Sequence, residues 1–191
     1  MTAFNDLASP ATLLATRRSA KARDLVAPGP DAAQLAAILA AAARVPDHGK
    51  LAPWRFVEIV DRDAFARLLV THWQAERGSD LDPAPLVTFA HEAPVLVAVL
   101  FAPVAGKIPL WEQELSCGAA CMNLLHAAHA LGFAGNWLTG WAAQSAAVCA
   151  ALGGGADDRI AGYFFLGTAS QPLEERPRPE MDTIVRKWPM D

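Results

Sequence analysis

No stretch of this 191-residue chain is apolar for long enough to cross a bilayer. The longest strongly apolar run, Val95 to Ala102, is eight residues, whereas a spanning helix needs about 20. The N-terminus, Met-Thr-Ala-Phe-Asn-Asp, lacks the basic and apolar regions of a secretory signal, so a cytoplasmic protein is expected. Cysteine is scarce, three residues with no C-x-x-C spacing, which fits small packing residues in a reducing compartment. Net charge is -4, so the broad basic face that nucleic acid or an acidic membrane selects is missing. No G-x-S-x-G occurs and Ser19 has no identifiable base, which removes a serine-nucleophile reading. Gly153-Gly154-Gly155 follows a helix and lacks the Lys-Ser/Thr of a P-loop. No repeat, low-complexity segment or linker divides the chain, so one domain over 1–191 is expected.

What is present is 53% hydrophobic, much of it alanine. Leu7 to Thr16 reads as a short helix. Asp31 and Gln34 form a capping-box pair before the stripe Leu35, Ile38, Leu39 and Ala42, and Pro46 stops that helix. Trp54 to Val60 reads as a strand, and Asp61 or Asp63 opens a helix that closes near Gly78. A short helix precedes Pro94, and Val95 to Ala102 is a buried strand. The longest helix runs from about Trp111 to Leu131, with Gly132 as its C-cap. Phe133 to Leu138 and Ile160 to Thr168 read as further strands, with a helix capped by Ser145 or Gln144 between them. The pattern is α+β, with helices outnumbering strands, and ends in a proline-rich tail from Gln171.

Two segments carry chemistry. Four of the sixteen Lys and Arg residues fall within seven positions, Arg17, Arg18, Lys21 and Arg23, with Ser19 among them. Two guanidinium forks, a hydroxyl and an ammonium suit a small phosphorylated anion. On charge alone, solvated cations at a helix end are an equal reading. The second segment, Arg44-Val45-Pro46-Asp47-His48-Gly49-Lys50-Leu51-Ala52-Pro53-Trp54, joins a helix end to a strand start, where binding groups concentrate. Trp54 itself reads as a core anchor. Cys117, Cys121, His126 and His129 have spacings a metal uses on a helix, but they do not share one face, and a structural role is preferred.

Together the Arg17-x-Ser19-x-Lys21 motif and the Pro46-x-His48-x-x-x-x-Pro53-Trp54 loop resemble the nitroreductase family of flavoproteins. The resemblance is to its short bacterial branch and continues through Trp111-Glu112-Gln113-Glu114, Gly135-Asn136-Trp137-Leu138-Thr139-Gly140 and Phe164-Phe165-Leu166-Gly167. It implies a nitroreductase-like fold: a central mixed β-sheet flanked by helices, in an intertwined homodimer whose C-terminal extension wraps the partner. It also implies FMN at the subunit interface, with NAD(P)H as electron donor. Arg17, Arg18 and Ser19 would hold the FMN phosphate and ribityl chain, and Lys21 would approach the pyrimidine edge. Arg44 and His48 would reach the flavin from the other subunit, and Trp137, Leu138 and Thr139 would line its other side. Cations near the pyrimidine edge stabilise the negative charge of reduced flavin. Arg186 in the tail is a further phosphate candidate. The expected reaction is ping-pong hydride transfer to nitroaromatic or quinone-like acceptors, in a pocket built from variable segments such as Ser79 to Val87 and Val104 to Ile108. No side chain is expected as obligatory acid or base. The alternatives are dehydrogenation or dehalogenation of a small metabolite on the same fold, or flavin binding and storage without catalysis.

Overall fold

A computed structural model describes residues 4–80 and 82–188. Residues 1–3 of the N-terminus, residue 81 of the first acceptor-loop segment and residues 189–191 of the tail lie outside the described residues. The elements run α1 (Pro10–Thr16), β1 (Leu25–Val26), α2 (Ala32–Ala42), β2 (Trp54–Glu58), α3 (Arg62–Arg77), α4 (Ala84–His91), β3 (Val95–Phe101), α5 (Leu110–Ala130), β4 (Ala134–Leu138), α6 (Trp141–Gln144), α7 (Ala146–Ala151), β5 (Arg159–Ala169) and α8 (Met181–Ile184). Among them, no helix is long and apolar enough to cross a membrane.

The helix ends follow side-chain chemistry. Pro10 occupies the first turn of α1 and Ser9 caps it, accepting from Thr12 N at 3.0 Å, so the helix starts three residues later than Leu7. Asp31 and Gln34 form the full capping box of α2. Asp61 caps α3 and Gly78 follows its end. At the end of α5, Gly132 adopts φ +85°, and Phe133 N donates to Ala128 O at 3.0 Å. This is a Schellman stop, and it turns the chain directly into β4.

The sheet is built around β5. Its residues 163–166 pair with β3 on one side and β4 on the other, β1 pairs with its C-terminal end, and β2 pairs with β3. Every pairing among the described residues is antiparallel, so strand direction is not mixed as expected. The connections explain this. After β2, α3 and α4 pack together and return the chain to the end of the sheet it left, where Glu58 pairs with Val97. A parallel partner would need a crossover to the opposite end.

Alternation along the strands feeds two cores. Leu96, Ala98 and Leu100 of β3, with Tyr163 and Phe165 of β5, face Phe65 and Leu69 of α3 and Val148 of α7. Val97, Val99, Phe101, Phe164 and Leu166 face Leu35 and Ile38 of α2 and Cys117, Cys121 and Leu124 of α5. Trp54 is buried in this second core, as a strand-start anchor. Each fully buried Leu or Phe contributes about 1.5–3 kcal/mol. The helices on both faces therefore fix the ends of the strands, where the candidate site residues sit.

Candidate functional site

The chain leaves α1 at Arg17 in extended conformation. Asn5 clamps the next residue: its Nδ2 donates to Arg18 O at 3.1 Å and its Oδ1 accepts from Arg18 N at 2.8 Å. Arg17 Nη2 donates to Ser19 Oγ at 3.1 Å, while its Nε is buried without a partner. Arg18 Nε donates to the carbonyl of Glu174 at 2.5 Å, which lays the start of the tail across the basic segment. A cavity of about 400 Å³ opens there, lined by Arg18, Ser19, Lys21, Arg23 and Gln171 to Glu174.

The tail adds charge to this place. Burial holds the Arg17 guanidinium below its ordinary pKa, and the positive charges of Arg178, Arg18 and Arg176 lower it further, against one opposing carboxylate, Glu175. Glu175 pairs with Arg178 at 3.1 Å. Arg176 and Arg178 were not singled out by sequence. The only local signal was the Arg-Pro-Arg spacing, and nothing in it says that this stretch returns to residue 17. Arg186 lies in the exposed end of the tail, beyond α8.

Behind Arg17 lies the end of α5. His129 is fully buried with neither ring nitrogen hydrogen-bonded. Burial, then the charge of Arg17 and then His126, push its pKa down to about 4. The ring is therefore neutral at pH 7. Cys117 and Cys121, two to three turns earlier, are buried neighbours, and the Cys117 thiol together with burial pushes the Cys121 thiol up. Among the described residues no three His, Cys, Asp or Glu side chains converge as metal ligands would.

β4 is fastened beside the basic segment, because Asn136 Nδ2 donates to Ala20 O. Trp137 stacks on Phe164, with centroids 5.2 Å apart and planes 30° apart, and its Nε1 donates to Ala161 O at 3.1 Å. Gly162 makes room for the indole: a Cβ there would collide with Trp137 Nε1. Leu138 is half-buried opposite Tyr163, and Thr139 is exposed. The structure thus joins β4 to the basic segment at Asn136 and Ala20, while none of Trp137, Leu138 and Thr139 is among the residues that line the cavity beside Arg18.

Arg44 and His48 sit elsewhere, along α5 between Glu112 and Asn123. Both are exposed, and His48 Nδ1 meets Glu112 Oε2 at 2.6 Å. Among the described residues, no hydrogen bond or ion pair links either side chain to the basic segment or to β4. The turn that holds His48 abuts the Val104–Ile108 loop through Gly49 and Ile108, and that loop lines a cavity of about 450 Å³. A larger cavity, about 540 Å³, lies between α5, α7 and the start of β5, with Glu114, Cys117, Cys149 and Arg159 in its wall. None of the sequence-predicted site residues lines it. Arg159 pairs with Glu114 and lies 5.2 Å over the Phe101 ring.

The sequence and the fold that carry these residues have known counterparts. The family model described as "Nitroreductase family" matches residues 14–168. The chain belongs to the nitroreductase family. It is 37% identical over 172 residues, 87% of this chain and 92% of the relative, to a Haemophilus influenzae protein named "Putative NAD(P)H nitroreductase". A nitroreductase-like family protein from Bacillus cereus superposes with a TM-score of 0.80 at 19% identity, over the whole of both chains. A Bacteroides fragilis nitroreductase with bound FMN gives a TM-score of 0.67 at 25% identity, over 91% of this chain and 96% of that one. The nitroreductase match ends at residue 168, so the tail that brings Arg176 and Arg178 to Arg17 lies beyond it.

Proposed function

We propose that the chain is an FMN-dependent oxidoreductase that passes hydride from NAD(P)H to nitroaromatic or quinone-like acceptors. It works as a cytoplasmic homodimer of single 1–191 domains. The basic cavity lined by Arg18, Ser19, Lys21 and Arg23, with the tail hooked across it by the bond from Arg18 to Glu174, carries this reading. Half-buried Arg17 and Arg18 and exposed Arg176 and Arg178 repel one another, and a phosphate dianion relieves that repulsion through charge-assisted hydrogen bonds. The orphaned Arg17 Nε adds a donor, and the Ser19 hydroxyl, accepting from Arg17, keeps its own proton to donate.

The chain's own residues then divide the work. Arg17, Arg18 and Ser19 hold the phosphate and ribityl chain, with Arg186 as a further candidate, and exposed Lys21 reaches the pyrimidine edge. Trp137, Leu138 and Thr139 line one side of the ring system. Arg44 and His48 come from the second subunit, which accords with their separation from the basic segment of their own chain. Bound FMN supplies the hydride relay between donor and acceptor. Donor and acceptor occupy one pocket in turn, a ping-pong order in which no side chain is an obligatory acid or base.

The test begins with colour. Purified protein should carry or take up FMN and bleach when mixed anaerobically with NADH or NADPH. A preparation that stays yellow marks a storage protein, and one that binds no added FMN overturns the reading. Replacing both Arg17 and Arg178 with Ala should weaken FMN binding about 100-fold or more, since each charge-assisted contact is worth about 1.5–3 kcal/mol. Riboflavin, which keeps the ribityl chain but lacks the phosphate, should lose far less affinity in the same pair.

A further inference from the structure

The turn carrying His48 is held from one side by α5. That helix presents Glu112, Ser116 and Asn123 to it, four and seven residues apart, so that all three lie on one face. Asn123 Nδ2 donates to Ala41 O at 2.5 Å, and Ser116 Oγ donates to Pro46 O at 2.9 Å. Glu112 Oε2 meets His48 Nδ1 at 2.6 Å. From the other side Ile108 closes in, 3.1 Å from where a Gly49 Cβ would be. Within the turn, Asp47 Oδ2 accepts from Ala52 N at 2.7 Å. Gly49, Lys50 and Ala52 take φ values of +79°, +57° and +47°. Left-handed backbone at two non-glycine positions persists where the surroundings over-determine it, and it gathers at functional sites.

We propose that Glu112 is a positioning residue for His48, fixing which ring nitrogen His48 presents to the flavin of the other subunit. This rests on the proposed function, in which His48 faces the flavin. A carboxylate oxygen only accepts, so the short contact places a proton on Nδ1. Nε2 is then the free end of the ring, an acceptor while the ring is neutral. Exposure assigns the roles: the Glu112 side chain is 27% exposed and that of His48 is 64% exposed. The carboxylate is thus the anchored partner, and the imidazole is the presented one. Ser116 and Asn123 hold the backbone on either side of Arg44, so a single helix face sets both cross-subunit groups. Carboxylates that orient a histidine through its far nitrogen are a recurrent device for fixing tautomer and ring direction.

The test has one readout on the protein without flavin and one with it. In the flavin-free protein, 15N NMR of labelled histidines, with His48 assigned by its loss in His48→Gln, should show the His48 proton on Nδ1. Glu112→Ala should release that preference, and Glu112→Gln, which still offers an acceptor oxygen, should largely keep it. An unchanged His48 tautomer in Glu112→Ala overturns the proposal. FMN affinity then gives a double-mutant cycle. Glu112→Ala should weaken FMN roughly 3- to 30-fold in the wild-type background and have no effect in the His48→Gln background. Equal loss in both backgrounds means that Glu112 acts independently of His48 and also overturns the proposal. If His48→Gln alone leaves FMN affinity unchanged while the tautomer shift holds, it is the flavin-facing reading of His48 that fails.

Discussion

Arg18 Nε and the carbonyl of Glu174 meet at 2.5 Å across 156 residues of sequence. Arg18 also directs Nη1 toward the carbonyl of Ser19 at 3.5 Å. Its fork is thus partly committed to backbone, and Arg17 is left as the better-buried guanidinium facing Arg176 and Arg178. The two neighbouring arginines therefore differ in their work. Arg17 collects charge, and Arg18 hooks the tail that delivers it.

Removing the hook should loosen the tail. Arg18→Ala should speed deuterium uptake in peptides covering residues 171–180 while leaving the β5 amides, buried in the sheet, at their wild-type rate. Arg18→Lys lacks the fork and should sit between the two. Uptake indistinguishable from wild type in the alanine variant would mean that other contacts fix the tail. FMN affinity should fall on two counts in the alanine variant: the direct Arg18 contact is lost, and Arg176 and Arg178 are no longer held near Arg17.

The contrast with the parts readable from sequence is physical. The capping box of Asp31 and Gln34, the stop at Gly132 and the continuous apolar run of β3 are legible because each is written in residues a few positions apart. The same holds for the basic motif and for Trp137 to Thr139, which are contiguous. β1 has two residues and α6 has four, too short to show a period. The contacts that assemble the site join distant positions: Arg18 with Glu174, Asn136 with Ala20, His48 with Glu112. No local pattern encodes them, and the direction of the strands follows from how α3 and α4 return the chain.

Buried His129 predicts an acid-sensitive fold. Its pKa is about 4 in the folded chain and about 6.5 when unfolded. Between those values the unfolded chain takes up a proton that the folded chain refuses, so stability falls as pH drops from about 6.5 to about 4. It is fully present above that window. The two values differ by enough to remove roughly 3 kcal/mol once the pH falls below both. Urea unfolding of the flavin-free protein at pH 7 and pH 4.5 should show this loss, and His129→Gln should flatten the difference by a comparable amount. An identical pH slope in the variant would place the sensitivity elsewhere.

Gly162 offers the sharpest handle on the aromatic side of the pocket. The space its side chain lacks is filled by the Trp137 indole, and a Cβ at this position would overlap Nε1 and crowd Leu138 O at 3.1 Å. Neither is easily relieved. The indole is pinned by its stack on Phe164 and by its bond to Ala161 O, and the carbonyl belongs to a strand paired with β5. Gly162→Ala should therefore expel Trp137 from its shelf, at a cost of about 1–3 kcal/mol, typical of overpacking. Trp137→Ala in the same background should recover much of that stability, because the new methyl then has space. Thermal melts of the two single variants and the double variant decide the point. Additive losses would show that Gly162 serves something other than the indole. Flavin titrations on the same proteins give the functional side: if Trp137 lines the ring system, Gly162→Ala should weaken FMN and riboflavin alike, in contrast to the arginine variants, which should discriminate between them.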